Sequence, residues 1–139
     1  ELRGSSVTSA VARVAQMPRV RGWVNARMRL AADHHDVVVD GRDMGTAVFP
    51  DADLKIYLVA DPWHRARRRL IERERREPFE TQIVEEMEII RLRDTRDAAQ
   101  SDPAADAVVI DTSEIMQDEQ VARILVLAEA VRRQEGRAG

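Results

Sequence analysis

Short apolar runs alternate with longer stretches of helical spacing along this chain. Three runs are rich in β-branched residues and end at a polar or turn residue, which predicts β-strands. They are Asp36–Asp40, Leu54–Val59 and Ala107–Ile110. Because helical stretches separate these runs, the pattern indicates an α/β fold with a parallel sheet.

Five stretches carry apolar residues at helical spacing. They are Ser5–Met17, a stretch from Pro18 to Ala32, Pro62–Glu74, Thr81–Arg93 and Gln117–Gln134. Pro62 suits the first turn of a helix behind Asp61 as N-cap, since proline has no amide hydrogen to leave unpaired. Three strands make a thin sheet, so we expect the domain to be incomplete.

The composition narrows the possible functions. The 139 residues fit one domain, and a hydrophobic content of 44% is enough for a core. A net charge of −3 and an aromatic content of 4% argue against nucleic-acid binding. The chain has no cysteine, which excludes disulfides and thiolate chemistry, and no apolar run approaches the roughly 20 residues that span a bilayer. We expect a cytoplasmic protein without a membrane or nucleic-acid partner.

A glycine-flanked Arg-Asp pair follows the first predicted strand. Within Asp40–Thr46, Arg42 and Asp43 stand between Gly41 and Gly45. Ligands of open α/β sheets bind at the carboxyl ends of strands. A guanidinium suits phosphate, and a carboxylate accepts hydrogen bonds from an amine. The segment is therefore either a site for a phosphate-bearing ligand with a polar amine or a strand-end turn with a surface ion pair.

Two further charged segments are ambiguous by themselves. Seven arginines between positions 65 and 76 cannot share one helix face, so they form either a solvated helix with glutamate partners or a mobile lid over a polyphosphate. Arg93 and Asp97 are one helical turn apart. They form either an ion pair at a helix end or a phosphate and sugar contact, and spacing leaves both open.

Taken in order, these segments resemble the bacterial cytidylate (CMP/dCMP) kinases. The resemblance implies a three-layer parallel sheet of the P-loop nucleoside monophosphate kinase type, incomplete at the N-terminus. The glycine-arginine-aspartate block and the Phe-Pro-Asp-Ala turn after it are the most specific part. The matching segments are Leu2-Arg3, Met17–Arg21, Gly41–Thr46, Val48–Ala52, Lys55–Leu58, the arginine-rich helix, Arg93-Asp94, Arg96-Asp97 and Ala104–Thr112.

The resemblance implies a role for each residue of a CMP site. Arg21 and Asp43 match the residues that recognise the cytosine ring. An acceptor such as Asp43 suits the exocyclic amine of cytosine and would repel the carbonyl of uracil. Arg42 and Arg93 match ligands of the nucleotide phosphate, and Asp97 matches the residue that meets the sugar hydroxyls.

The resemblance also assigns catalytic residues and a shortened loop. Arg68 and Arg69 match lid arginines near the transferred phosphoryl group. The loop after Asp97 lacks an arginine that the family commonly has there, and Gln100 or Ser101 is the nearest polar residue. Of these two, Gln100 is the predicted substrate contact.

The sequence contains no G-x-x-x-x-G-K-[ST] motif, which in this class holds the donor phosphates and Mg²⁺. We therefore expect the C-terminal portion of a kinase, inactive alone and without a metal ligand of its own. Its expected parts are helices of the monophosphate-binding side (1–35), strands and the CMP site (36–61), the lid (62–100), and the last strand and helix (101–139).

The resemblance implies a reaction for the complete enzyme. It would transfer the γ-phosphoryl group of ATP, with Mg²⁺, to CMP or dCMP in pyrimidine nucleotide metabolism, and we expect it to act as a monomer. The alternative is a non-catalytic nucleotide-binding remnant or module. A P-loop in the complete reading frame would favour the enzyme over the module.

Overall fold

The computed structural model describes residues 5–98 and 101–138, in which five α-helices, one π-helical turn and two strands are found. The predicted helices are confirmed. α4 continues past Arg93 to Asp97, which places both residues on one helix. The elements in chain order are α1 (Ser5–Ala15), α2 (Pro18–Ala32), the π-helical turn (Met44–Val48), β1 (Ile56–Val59), α3 (Pro62–Glu74), α4 (Glu80–Asp97), β2 (Val108–Asp111) and α5 (Gln117–Ala138).

The two strands are parallel neighbours. Ile56 of β1 pairs with Val108 of β2, and the register continues to Val59 and Asp111. Both strands lie within predicted runs or one residue beyond them, and α3 and α4 form the crossover that a parallel pair requires. The α/β class predicted from the sequence is therefore confirmed.

The prediction of a strand over Asp36–Asp40 is wrong. These residues form neither helix nor strand, and Val38 is fully exposed. A strand requires a hydrogen-bonded neighbour, and the sheet of the described residues consists of β1 and β2 alone. The apolar run has the composition of a buried strand but lacks a pairing partner here. The segment 36–61, for which the sequence predicts two strands, therefore contains one strand, β1. The three-layer sheet remains a prediction.

The hydrophobic core of the described residues lies between α3 and α4. Ala66 and Leu70 of α3 pack with Ile83 and Ile90 of α4, and all four are buried. The start of α3 is set by Asp61, whose side chain accepts a hydrogen bond from the Trp63 amide at 2.8 Å, as the sequence predicts. This helical hairpin carries the arginine-rich segment on one arm and Arg93–Asp97 on the other.

Candidate functional site

Arg21 and Asp43 form an ion pair between α2 and the loop before the π-helical turn. The Arg21 guanidinium donates to the Asp43 carboxylate, of which only 16% is exposed. Asp43 also begins the π-helical turn, because its carbonyl accepts from the Ala47 amide at 2.9 Å and the Val48 amide at 3.2 Å. Two residues that lie 22 positions apart in the sequence are thus joined.

Arg29 ties the far end of the π-helical turn to α2. Its Nε donates to the Val48 carbonyl at 2.9 Å, and its Nη2 donates to the Ala47 carbonyl at 2.8 Å. Sequence reasoning missed Arg29. The available signal was its position two helical turns after Arg21, which puts both side chains within reach of one loop.

Arg42, Arg93, Asp97 and Ser101 form a second group, here called the Asp97 cluster. Arg42 Nη2 lies 3.0 Å from Asp97 Oδ2, and Arg93 Nε lies 3.7 Å from the same oxygen. Ser101 Oγ donates to the Asp97 carbonyl at 2.9 Å and lies 3.5 Å from Arg42 Nη1. Tyr57 donates from its hydroxyl to the Ser101 carbonyl at 2.9 Å, which links β1 to the loop after α4. One carboxylate thus holds two cations that come from separate segments.

Arg68 and Arg69 point to different partners. Arg68 donates to the carbonyls of Thr112, Ser113 and Ile115, just beyond the end of β2. In the described part of the chain, neither arginine forms an ion pair or hydrogen bond with the Asp97 cluster. Five of the predicted substrate residues thus form two groups, the Arg21–Asp43 pair and the Asp97 cluster, whereas Arg68 has its partners in the loop after β2.

Glu86 is the partner of Arg69. Its side chain is only 4% exposed, and it lies 3.3 Å from Arg69 Nη1 and 3.0 Å from Arg73 Nη1. A buried carboxylate is costly unless cations compensate it, and two arginines one helical turn apart on α3 do so here. The sequence predicts glutamate partners for the arginines of this segment, and two further ion pairs are of that kind, because Glu74 pairs with Arg76 and Glu77 pairs with Arg67.

The family model described as cytidylate kinase matches residues 1–130. The chain belongs to the cytidylate kinase family. It is 46% identical to a cytidylate kinase of Thermus thermophilus over 89% of this chain and 56% of that protein. It is 44% identical to a cytidylate kinase of Deinococcus radiodurans over 89% of this chain and 56% of that protein. It is 40% identical to one of Rhodococcus opacus over 91% of this chain and 57% of that protein.

The chain spans a little over half the length of these cytidylate kinases. Membership of the family confirms the resemblance stated from the sequence. The role of each site residue within the family stays a prediction. Gln100, the predicted substrate contact in the short loop, lies outside the described residues.

The residues of this chain do not fit the binding site for ATP and Mg²⁺ that the resemblance implies for the complete enzyme. The sequence contains no P-loop motif. Within residues 5–98 and 101–138, no three His, Cys, Asp or Glu side chains lie close enough together to hold a metal ion. We therefore assign no residue of this chain to a P-loop or to Mg²⁺. None of the helices in this part of the chain has the length and apolar character needed to cross a bilayer.

Asp94 connects the end of α4 to α3. Arg65 donates to both oxygens of its carboxylate, at 2.9 Å for Nη2 to Oδ1. This hydrogen bonding lowers the pKa of Asp94, and the charges of Arg65, Arg42 and Arg93 lower it further. The pair raises the pKa of Arg65 in turn. The carboxylate form of Asp94 is thus favoured in the folded protein.

We expect the contribution of Asp94 to stability to disappear in acid. Because the pKa of Asp94 is lower in the folded than in the unfolded protein, the contribution is complete above the unfolded value of about 3.9 and is lost as pH falls through the folded value. Urea unfolding of the wild type and Asp94→Asn at pH 6 and at pH 3 measures this. The difference between the two free energies of unfolding should shrink at pH 3. Asp53→Asn, at an exposed position, is the control, and a difference that does not vary with pH would contradict the assignment.

Proposed function

We propose that this chain forms the CMP-binding face and the lid of a cytidylate kinase, which transfers the γ-phosphoryl group of ATP to CMP or dCMP. The observation that carries the proposal is the pairing of Arg21 with Asp43 beside the Asp97 cluster. The names of the similar proteins support the same reaction.

Asp43 is proposed to recognise the base. Its carboxylate can only accept hydrogen bonds, and the exocyclic amine of cytosine donates them. Arg21 donates a hydrogen bond to one oxygen of this carboxylate and so holds the Asp43 side chain in a fixed position. Uracil presents a carbonyl where cytosine has its amine, so it would face a carboxylate without a proton between them.

Arg42 and Arg93 are proposed to bind the phosphate of CMP, and Asp97 the sugar hydroxyls. Both guanidiniums remain substantially exposed although they share Asp97. Their planar forks suit a phosphate, which carries more charge than the single carboxylate that they now contact. Asp97 thus orients both cations before the nucleotide binds. Gln100 is proposed as a further contact.

The proposed reaction concerns a polypeptide of the length of the relatives. It requires a P-loop, which the sequence does not contain, to hold ATP; Mg²⁺ would neutralise charge on the donor phosphates. We expect the complete protein to add strands to the sheet of β1 and β2. Val38, Leu58 and Val109 are exposed here, and added strands could cover such apolar residues. We expect the 139 residues alone not to phosphorylate CMP. We expect the complete enzyme to be cytoplasmic and monomeric.

Calorimetric titration of the complete protein with CMP, dCMP and UMP tests the proposed specificity. We expect both cytosine nucleotides to bind more tightly than UMP. Equal affinity for CMP and UMP would contradict base recognition by Asp43. Selective binding of CMP without phosphoryl transfer in the presence of ATP and Mg²⁺ would favour the non-catalytic nucleotide-binding module instead.

A further inference from the structure

The ion pair between Arg65 of α3 and Asp94 of α4 has a geometry that fixes orientation as well as distance. Two nitrogens of one guanidinium donate to the two oxygens of one carboxylate. Such a two-point contact resists rotation of either side chain, whereas a single-point ion pair does not. The side chains are 37% and 39% exposed, so the pair lies at the edge of the helical interface.

The pair lies where apolar packing between the two helices has ended. The buried residues of α4 are Ile83, Glu86 and Ile90, and Leu92 is exposed. Asp94 comes one helical turn after Ile90, on the same face of α4. The Arg65 fork therefore continues the contact between α3 and α4 by one turn, in place of an apolar side chain.

The turn of α4 that this pair holds is also the turn that carries part of the Asp97 cluster. Arg93 precedes Asp94, and Asp97 follows it by three residues. A rotation of this turn about the helix axis would move the Asp97 carboxylate away from Arg42, which is 3.0 Å from it. The charges of Arg42 and Arg93 act on Asp94 itself, which agrees with the closeness of the two groups.

We propose that Arg65 and Asp94 are positioning residues that set the rotation of the last turn of α4 and thereby hold Arg93 and Asp97 in place for the nucleotide. They act through the Asp97 cluster and do not touch the substrate. The inference rests on the proposed function. It connects α3, which carries Arg68 and Arg69, to the nucleotide-binding side chains, so a movement of the lid would be transmitted to the bound CMP.

The test is a charge exchange in the complete enzyme. Arg65→Asp and Asp94→Arg should each raise KM for CMP by about tenfold or more. Each variant would let Arg93 and Asp97 move away from their positions, and a small displacement of a binding group weakens its contact with the ligand strongly. The double variant Arg65→Asp/Asp94→Arg, with the ion pair reversed, should recover most of that loss. Glu77→Gln breaks the Arg67–Glu77 ion pair of the same hairpin and should leave KM unchanged.

Three results would overturn the proposal. KM could stay normal in both single variants while Tm falls, which would make the pair purely stabilising. The double variant could recover Tm without recovering KM, which would mean that one residue contacts the nucleotide directly. If a single variant does not fold, Arg65→Lys keeps the charge without the fork, and an unchanged KM in that variant would likewise contradict the proposal.

Failure of the proposed function would look different. In that case the wild-type enzyme itself would not phosphorylate CMP in preference to UMP. The coupling between the Arg65–Asp94 ion pair and the Asp97 cluster can still be measured through stability, because it is a property of the folded protein and does not depend on the reaction. In a double-mutant cycle on unfolding free energy, Asp94→Asn and Asp97→Asn should be non-additive, and additive effects would reject the coupling whatever the reaction is.

Discussion

Replacement of Arg68 by Ala in the complete enzyme should lower kcat for CMP by about 100-fold or more, and it should raise KM for CMP much less. The proposed reason is that a lid guanidinium neutralises charge that develops on the phosphoryl group during transfer, so its contact matters most in the transition state. Initial rates at several CMP concentrations, with ATP saturating, separate the two constants.

The contacts of Arg68 define the competing outcome. Because it donates to the carbonyls of Thr112, Ser113 and Ile115, it also fixes the loop after β2. A variant with lower Tm but normal kcat would limit Arg68 to that structural role and contradict its catalytic assignment. Arg91→Ala is the matched control, since Arg91 is 76% exposed on α4 and should change neither kcat nor Tm appreciably.

Replacement of Asp43 by Ala should lower kcat/KM for CMP by about 10- to 200-fold and remove the preference for CMP over UMP. The variant loses the only acceptor that the proposal offers to the cytosine amine, and it leaves Arg21 without its carboxylate partner. Competition assays with CMP and UMP in one reaction measure the ratio directly.

A matched pair of variants separates base recognition from support of the loop. Asp43→Asn keeps the size of the side chain but adds an amide that can donate to a carbonyl, so it should shift the preference toward UMP more than Asp43→Ala does. Asp53→Ala, at an exposed aspartate ten residues later, should leave the preference unchanged. A normal CMP preference in Asp43→Ala would exclude Asp43 as the base-selecting residue.

The helices could be predicted from the sequence because their signals are local. Asp61 and Pro62 mark the start of α3 by capping chemistry, which needs no distant partner. Asp36–Asp40 fails for the opposite reason. Its three consecutive valines are typical of a buried strand, but the sequence pattern does not show which strand would pair with this segment. In the described residues, β1 and β2 pair with each other.

The site residues could be predicted only in part. The glycines around Arg42 and Asp43 are a strong local signal, whereas the ion pair of Arg42 with Asp97 joins residues 55 positions apart and depends on the fold. Arg29 escaped notice because all basic residues but Lys55 are arginines, so a single arginine carries little information. Glu86 escaped it because a carboxylate on the inner face of α4 contradicts the apolar pattern until Arg69 and Arg73 are seen beside it.

The most direct test of the central claim is the initial rate of ATP-dependent phosphorylation of CMP, dCMP and UMP by the complete protein, with Mg²⁺ present. The account predicts phosphoryl transfer to CMP or dCMP with a kcat/KM at least tenfold above that for UMP, the size of effect expected when a site built to accept a hydrogen bond meets a ligand that cannot donate it. Equal turnover of CMP and UMP, or no transfer to either cytosine nucleotide, would contradict it.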